Sequence, residues 1–102
     1  MRIQFTRTGG FAGIQLTNSV DTAQLPPDQA AALEKLIGDA GFFDLPERLA
    51  PAKPVPDRFE YEVTVTSGEQ SHTLVVNDAA APASLKPLLN YLTTLAIVNR
   101  KS

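Results

Sequence analysis

Two stretches of apolar–polar alternation, each folding back about a glycine-containing dipeptide, constrain this chain more than anything else in it. Arg2 to Thr8 and Phe11 to Thr17 flank Gly9-Gly10, a pair that tolerates the positive φ angles of a two-residue hairpin turn. With that turn, residues whose numbers sum to 19 face each other, so Ile3 meets Leu16, Phe5 meets Ile14 and Arg7 meets Ala12. Cross-strand partners share a face and alternation has period two, so the apolar residues of the strand bodies gather on one side. Gln4, Thr6, Thr8, Gln15 and Thr17 gather on the other. A slip of one residue would scramble both sides.

The second stretch repeats the logic. Arg58 to Ser67 and Gln70 to Asn77 flank Gly68-Glu69, and partners sum to 137. Tyr61 then meets Val76, Val63 meets Leu74 and Val65 meets His72, with Phe59 extending the apolar row. Glu60, Glu62, Thr64, Thr66, Ser71 and Thr73 make the wetter face, with Val75 its one apolar residue.

Between the hairpins the spacing predicts a helix. Pro26-Pro27 supplies the preset φ of a first turn, Asp28 suits the positive end of the dipole, and Gly41 closes the helix in the left-handed conformation. Ala30, Leu33, Ile37 and Ala40, with Leu36 alongside, form its buried stripe, and Phe42, Phe43 and Leu45 plug the core edge. Glu47 to Asp57 is proline-rich and reads as a long surface connection with little regular structure. A last helix starts near Ser84, holds Pro87 in its first turn, and buries Leu85, Leu88, Leu89, Leu92 and Leu95 or Ala96. The order is ββαββα. The expected fold class is α+β, a four-stranded antiparallel sheet with two helices packed on one face.

At 102 residues the chain has room for one core, so residues 1–102 are read as a single domain. A net charge of −2, with the basic residues scattered, leaves no footprint for a polyanion. Nucleic acid is therefore excluded as the expected partner. No apolar run exceeds four residues, Leu95 to Val98 being one such run, which is too short for a membrane span. The start, MRIQFTRTGG, has no apolar core of a signal peptide, which makes cytoplasmic residence the default expectation. No cysteine is present, so a disulfide framework, a thiolate zinc site and a cysteine nucleophile are excluded together.

Catalytic chemistry finds few footholds. His72 is the only histidine and reads as a half-buried residue finishing the second hairpin. A metal site would need further ligands converging on it, and no HExxH or DxD spacing supplies them. Glu60 and Glu62 share a strand face and read as a solvated surface, the rival reading being an acid–base pair working with His72. GGFAG sits in a hairpin turn, so it is no phosphate cradle. No metal and no cofactor is expected, and the chain reads as a binding protein.

One residue does not follow from core packing. With the turn at Gly9-Gly10, Phe11 pairs with Thr8 and points to the polar face. Either the turn is bulged and returns Phe11 to the core, or another segment covers it, or Phe11 is an anchor presented to a partner. Neighbouring glycines would let a partner's backbone approach closely.

RTGGFAGI at residues 7–14, PDRFEYEVTV at 56–65, HTLVV at 72–76 and AAPASLKPLL at 80–89 together resemble the emfourin family, the bacterial protealysin-associated inhibitors of thermolysin-like zinc metalloproteases. The resemblance spans nearly the whole chain, and GGFAGI and DRFEYEVTV are its most specific parts. It implies a small, cofactor-free protein that binds such a protease. Taken with the register, it leads to the expectation that the hairpin tip blocks the protease's substrate cleft, and the free protein is expected to be a monomer. The zinc would be the protease's own. The register argument nominates Arg7, Gly9, Gly10, Phe11, Ala12, Gly13, Asp57 and Arg58 as the protease-binding residues: the tip presents Phe11 or Ile14, the register favouring Phe11, Arg7 is a rim charge, and Asp57 and Arg58 are either a local ion pair pinning the connection or a second contact patch. The alternative is a non-inhibitory protein–protein interaction module on the same scaffold.

Overall fold

The second hairpin forms as its alternation predicts. In the computed structural model, which describes residues 1–9, 15–51, 53 and 58–100, strands Phe59–Ser67 and Gln70–Asn77 run antiparallel with Tyr61 opposite Val76, Val63 opposite Leu74 and Val65 opposite His72. In chain order the strands are β1 (Arg2–Gly9), β2 (Leu16–Asp21), β3 (Arg48–Leu49), β4 (Phe59–Ser67) and β5 (Gln70–Asn77), and the helices are α1 (Pro27–Asp39) and α2 (Lys86–Arg100). The sheet order is β2-β1-β4-β5-β3. The N-terminal strand thus sits inside the sheet, antiparallel to both β2 and β4.

The first hairpin departs from the two-residue turn. Gly9 belongs to β1 and pairs with Phe59, while β2 begins only at Leu16. Ile3 lies opposite Val20, Phe5 opposite Asn18 and Arg7 opposite Leu16, so partners sum to 23 and not to 19. The slip is four residues. An even slip leaves every side chain on its original face, so the face assignment survives although each pairing changes. Ile3, Phe5, Leu16 and Val20 are all buried. The expected pairings of Ile14 with Phe5 and Ala12 with Arg7 are overturned at their β1 ends. The pairing of Phe11 with Thr8 assumed the same register; Phe11, Ala12 and Ile14 themselves lie outside the described residues.

Both helices cover the apolar face. Leu33, Ile37 and Ala40 of the first amphipathic segment and Leu85, Leu88, Leu89, Leu92 and Ala96 of the second join the strand residues in one core. Ala30, Leu36 and Leu95 are only half-buried. The helix starts follow the prolines: Pro27 opens α1 with Asp28 in its first turn, and the Pro82 carbonyl accepts from the Leu85 and Lys86 amides just before α2. Gly41, with φ of 61°, reverses the chain after α1 and delivers Phe42 into the core.

The proline-rich connection contributes a strand that its composition did not suggest. Arg48 and Leu49 pair in parallel with Val75 and Val76, and the Val75 amide donates to the Glu47 carbonyl at 2.8 Å. Among the described residues the sheet therefore has five strands where four were expected, and it is mixed at this edge. Val75 is half-buried. The opposite face stays open and is laced by hydroxyl contacts, Thr64 to Thr73 at 2.9 Å and Thr66 to Ser71 at 3.2 Å. Among the described residues, no helix is long and apolar enough to cross a membrane.

Candidate functional site

Antiparallel pairing brings four strand ends to one end of the sheet. Gly9 closes β1 against Phe59, Arg7 faces Leu16 at the start of β2, and Glu60 faces Asn77 at the end of β5. Of the residues nominated from sequence, Arg7, Gly9 and Arg58 therefore meet here, although Gly9 and Arg58 are far apart along the chain. Gly10, Phe11, Ala12, Gly13 and Asp57 lie outside the described residues.

Gly9 needs to be glycine for two reasons. Its φ is +94°, a region that disfavours any side chain. A Cβ built there would also lie 2.7 Å from the Arg58 carbonyl oxygen, closer than two such atoms can pack. The missing side chain lets the end of β1 lie against the start of β4.

Arg7 occupies an unusual position for a cation. It shares the helix-covered face with Ile3 and Phe5, where the row runs out towards the sheet end. Its guanidinium carbon lies 4.2 Å from the centre of the Phe59 ring, a cation–π contact worth about 0.5–2 kcal/mol as solvent is excluded. Its Nε is buried and has no hydrogen-bond partner among the described residues. Tyr61, buried beside it, touches Phe5 and Phe59 with ring centres 6.0 and 6.5 Å apart. Burial pushes the Tyr61 phenol above its ordinary value and the Asp78 carboxylate adds to the rise, while the charge and hydrogen bonding of Arg7 pull it down.

Arg58 is held from the other side. Its Nη1 lies 3.7 Å from Asp78 Oδ2, the two side chains being 52 % and 35 % exposed. Such a pair contributes little stability, but it ties the start of β4 to the turn Asp78–Ala80 after β5. That turn is shaped by Asn77, whose side-chain oxygen accepts from the Ala79 amide at 2.9 Å.

The rival acid–base set does not assemble. His72 is at the far, turn-proximal end of the second hairpin, half-buried on the core face and packed edge-on against Phe42 at 5.4 Å. Glu60 and Glu62 are exposed on the opposite face, so the sheet itself separates them from the imidazole. No group of three metal-ligating side chains occurs among the described residues. A groove of about 530 Å³ lies away from the nominated residues, between the end of β2 and the later turns of α2.

Sequence reading missed Phe59 and Tyr61 as the bed for Arg7, and Asp78 as the partner of Arg58. The only available signal was parity. Arg7 has the same odd spacing as Ile3 and Phe5, which assigns it to the apolar face. Nothing local announces that β4 is the strand it would lie on.

A family model described as Emfourin matches residues 5–93. Among solved structures, emfourin from Serratia proteamaculans, described as an M4 family peptidase inhibitor, is similar, at 22 % identity over 88 % of this chain and 86 % of that chain, with a TM-score of 0.49. No curated protein matches.

Proposed function

We propose that this chain, which belongs to the emfourin family, binds and blocks the substrate cleft of a thermolysin-like zinc metalloprotease. The family match over residues 5–93 carries the reading, and the sheet end built around Arg7, Gly9 and Arg58 is the proposed contact surface. Inhibition here is occupation and not chemistry: His72 and the two glutamates are on opposite faces, and the zinc is the protease's. Strands pair on both sides of β1 from Arg2 to Arg7, and β4 pairs with it as far as Gly9, so the end of β1 is fixed before binding. That lowers the ordering cost a flexible peptide would incur on entering a cleft. Phe11 is the proposed anchor, and Gly10, Ala12, Gly13, Asp57 and Arg58 are proposed to share the contact. The free protein is proposed to be a monomer; among the described residues only Ile97 and Val98 are large, apolar and exposed, too little for an extensive interface.

The test is titration of thermolysin activity with the purified protein. Activity should fall to a plateau near equimolar ratio, and Phe11→Ala should weaken binding by about 2 kcal/mol or more, as truncating a central anchor does. Binding without loss of peptidase activity would instead identify a non-inhibitory interaction module. A Phe11→Ala protein that inhibits like the wild type moves the contact to another surface.

A further inference from the structure

We infer that Arg7 and Gly9 are positioning residues: they fix the Gly9 and Arg58 backbones against each other, so that the end of β1 and the start of β4 meet the protease as one surface. The inference rests on the inhibitor reading for its partner, and on geometry for everything else.

Three observations lead to it. First, Gly9 and Phe59 are cross-strand partners, and Gly9 approaches the Arg58 backbone more closely than any side-chain-bearing residue could. Adding a methyl there must push two backbones apart, because neither contacting group is a flexible side-chain tip. Second, at the last two helix-side positions β1 carries Arg7 and Gly9 where β4 carries Tyr61 and Phe59. Glycine leaves the Phe59 ring with no direct neighbour on β1. The diagonal residue Arg7 reclines over it instead, within the reach of diagonal pairs on one sheet face. The planar guanidinium can lie flat on a ring, which a lysine ammonium cannot do as well. Third, Arg58 lies 3.7 Å from Asp78, just beyond the end of β5, a weak, partly exposed pair on the side of β4 away from β1. A contact surface drawn from two separate chain segments is effective only if their relative placement is set before binding. Arg7 and Gly9 supply that placement.

The role differs from that of a rim charge, and the difference is measurable. A rim charge acts on the association rate and its salt dependence; a positioning group acts on dissociation. Arg7→Lys keeps the charge and removes the guanidinium from over the Phe59 ring, and Gly9→Ala inserts the methyl. In the free protein, amide hydrogen exchange at Thr8, Gly9, Phe59 and Glu60 should quicken about tenfold in both variants, while Val63 and Leu74 keep wild-type protection. With thermolysin as probe, dissociation should quicken about tenfold, and association between roughly 50 and 300 mM salt should follow the wild type. Unchanged exchange at the sheet end overturns the inference. So does a loss of protection spread evenly over all strands, which would mark a purely structural role. An Arg7→Lys protein matching the wild type throughout, beside an Arg7→Met protein slowed only in association, would show a free rim charge. If the wild type does not bind thermolysin-like proteases at all, the inhibitor reading fails and takes the named partner with it, whereas the exchange measurements still decide whether Arg7 and Gly9 hold the two backbones together.

Discussion

Phe42 is the side chain on which the packing argument can be tested hardest. It follows the left-handed Gly41, is only 1 % exposed, and meets Phe43 and His72 edge-on at 5.9 and 5.4 Å with interplanar angles of 88° and 80°. Truncation to alanine removes a whole buried ring, which costs about 3–5 kcal/mol. Leucine restores much of the apolar volume but loses both ring contacts, each worth about 0.5–1.5 kcal/mol beyond burial. Phe42→Leu should therefore cost about 1–2 kcal/mol, clearly less than Phe42→Ala. In a domain of this size 1 kcal/mol moves the melting temperature by roughly 4–8 °C, so the alanine variant should melt about 12 °C or more below the wild type. Urea unfolding followed by circular dichroism gives the free energies, with an unchanged slope showing that the unfolded state is the same. An alanine variant that loses less than about 1 kcal/mol refutes the assignment of Phe42 to a tightly packed core. A leucine variant as damaged as alanine would show that ring geometry, and not apolar volume, holds this corner.

Two further outcomes follow from the same structure. Leu88→Ala should cost about 2–5 kcal/mol in urea unfolding because its side chain is fully enclosed, whereas Glu60→Ala, on the open face, should stay within about 0.5 kcal/mol of the wild type. Tyr61 makes stability fall in alkali: its folded phenol titrates above the unfolded value of 10.0, chiefly through burial. Its contribution is fully present below that value, and as pH rises past it the unfolded chain ionises first and is favoured. Tyr61→Phe should remove this part of the alkaline loss, as read by melting temperature against pH alongside tyrosinate absorbance. An identical alkaline slope in the variant would place the titrating group elsewhere.

Local pattern was enough for whatever depends on neighbours along the chain. The Tyr61–Val76, Val63–Leu74 and Val65–His72 pairings were legible because a short turn and strict alternation leave one register that buries the apolar row. Leu33, Ile37, Leu88 and Leu92 were legible from helical spacing, and the stop at Gly41 from its tolerance of positive φ. Three features needed the folded molecule. Alternation cannot distinguish registers differing by an even number, so the first strand pair could slip by four residues with Ile3, Phe5, Leu16 and Val20 still buried. The choice among those registers falls to β1, which must satisfy β2 and β4 at once, and the pairing with β4 joins residues 50 to 64 apart in the chain, from Gly9–Phe59 to Arg2–Thr66. Arg48-Leu49 became a strand only because β5 offered an unpaired edge beside it, which no composition of the connection could announce. The candidate site is of this second kind. Arg7, Gly9 and Arg58 could each be nominated from sequence, but the guanidinium on Phe59 and the contact of Gly9 with the Arg58 carbonyl exist only because the central strand pairing brings β1 and β4 together.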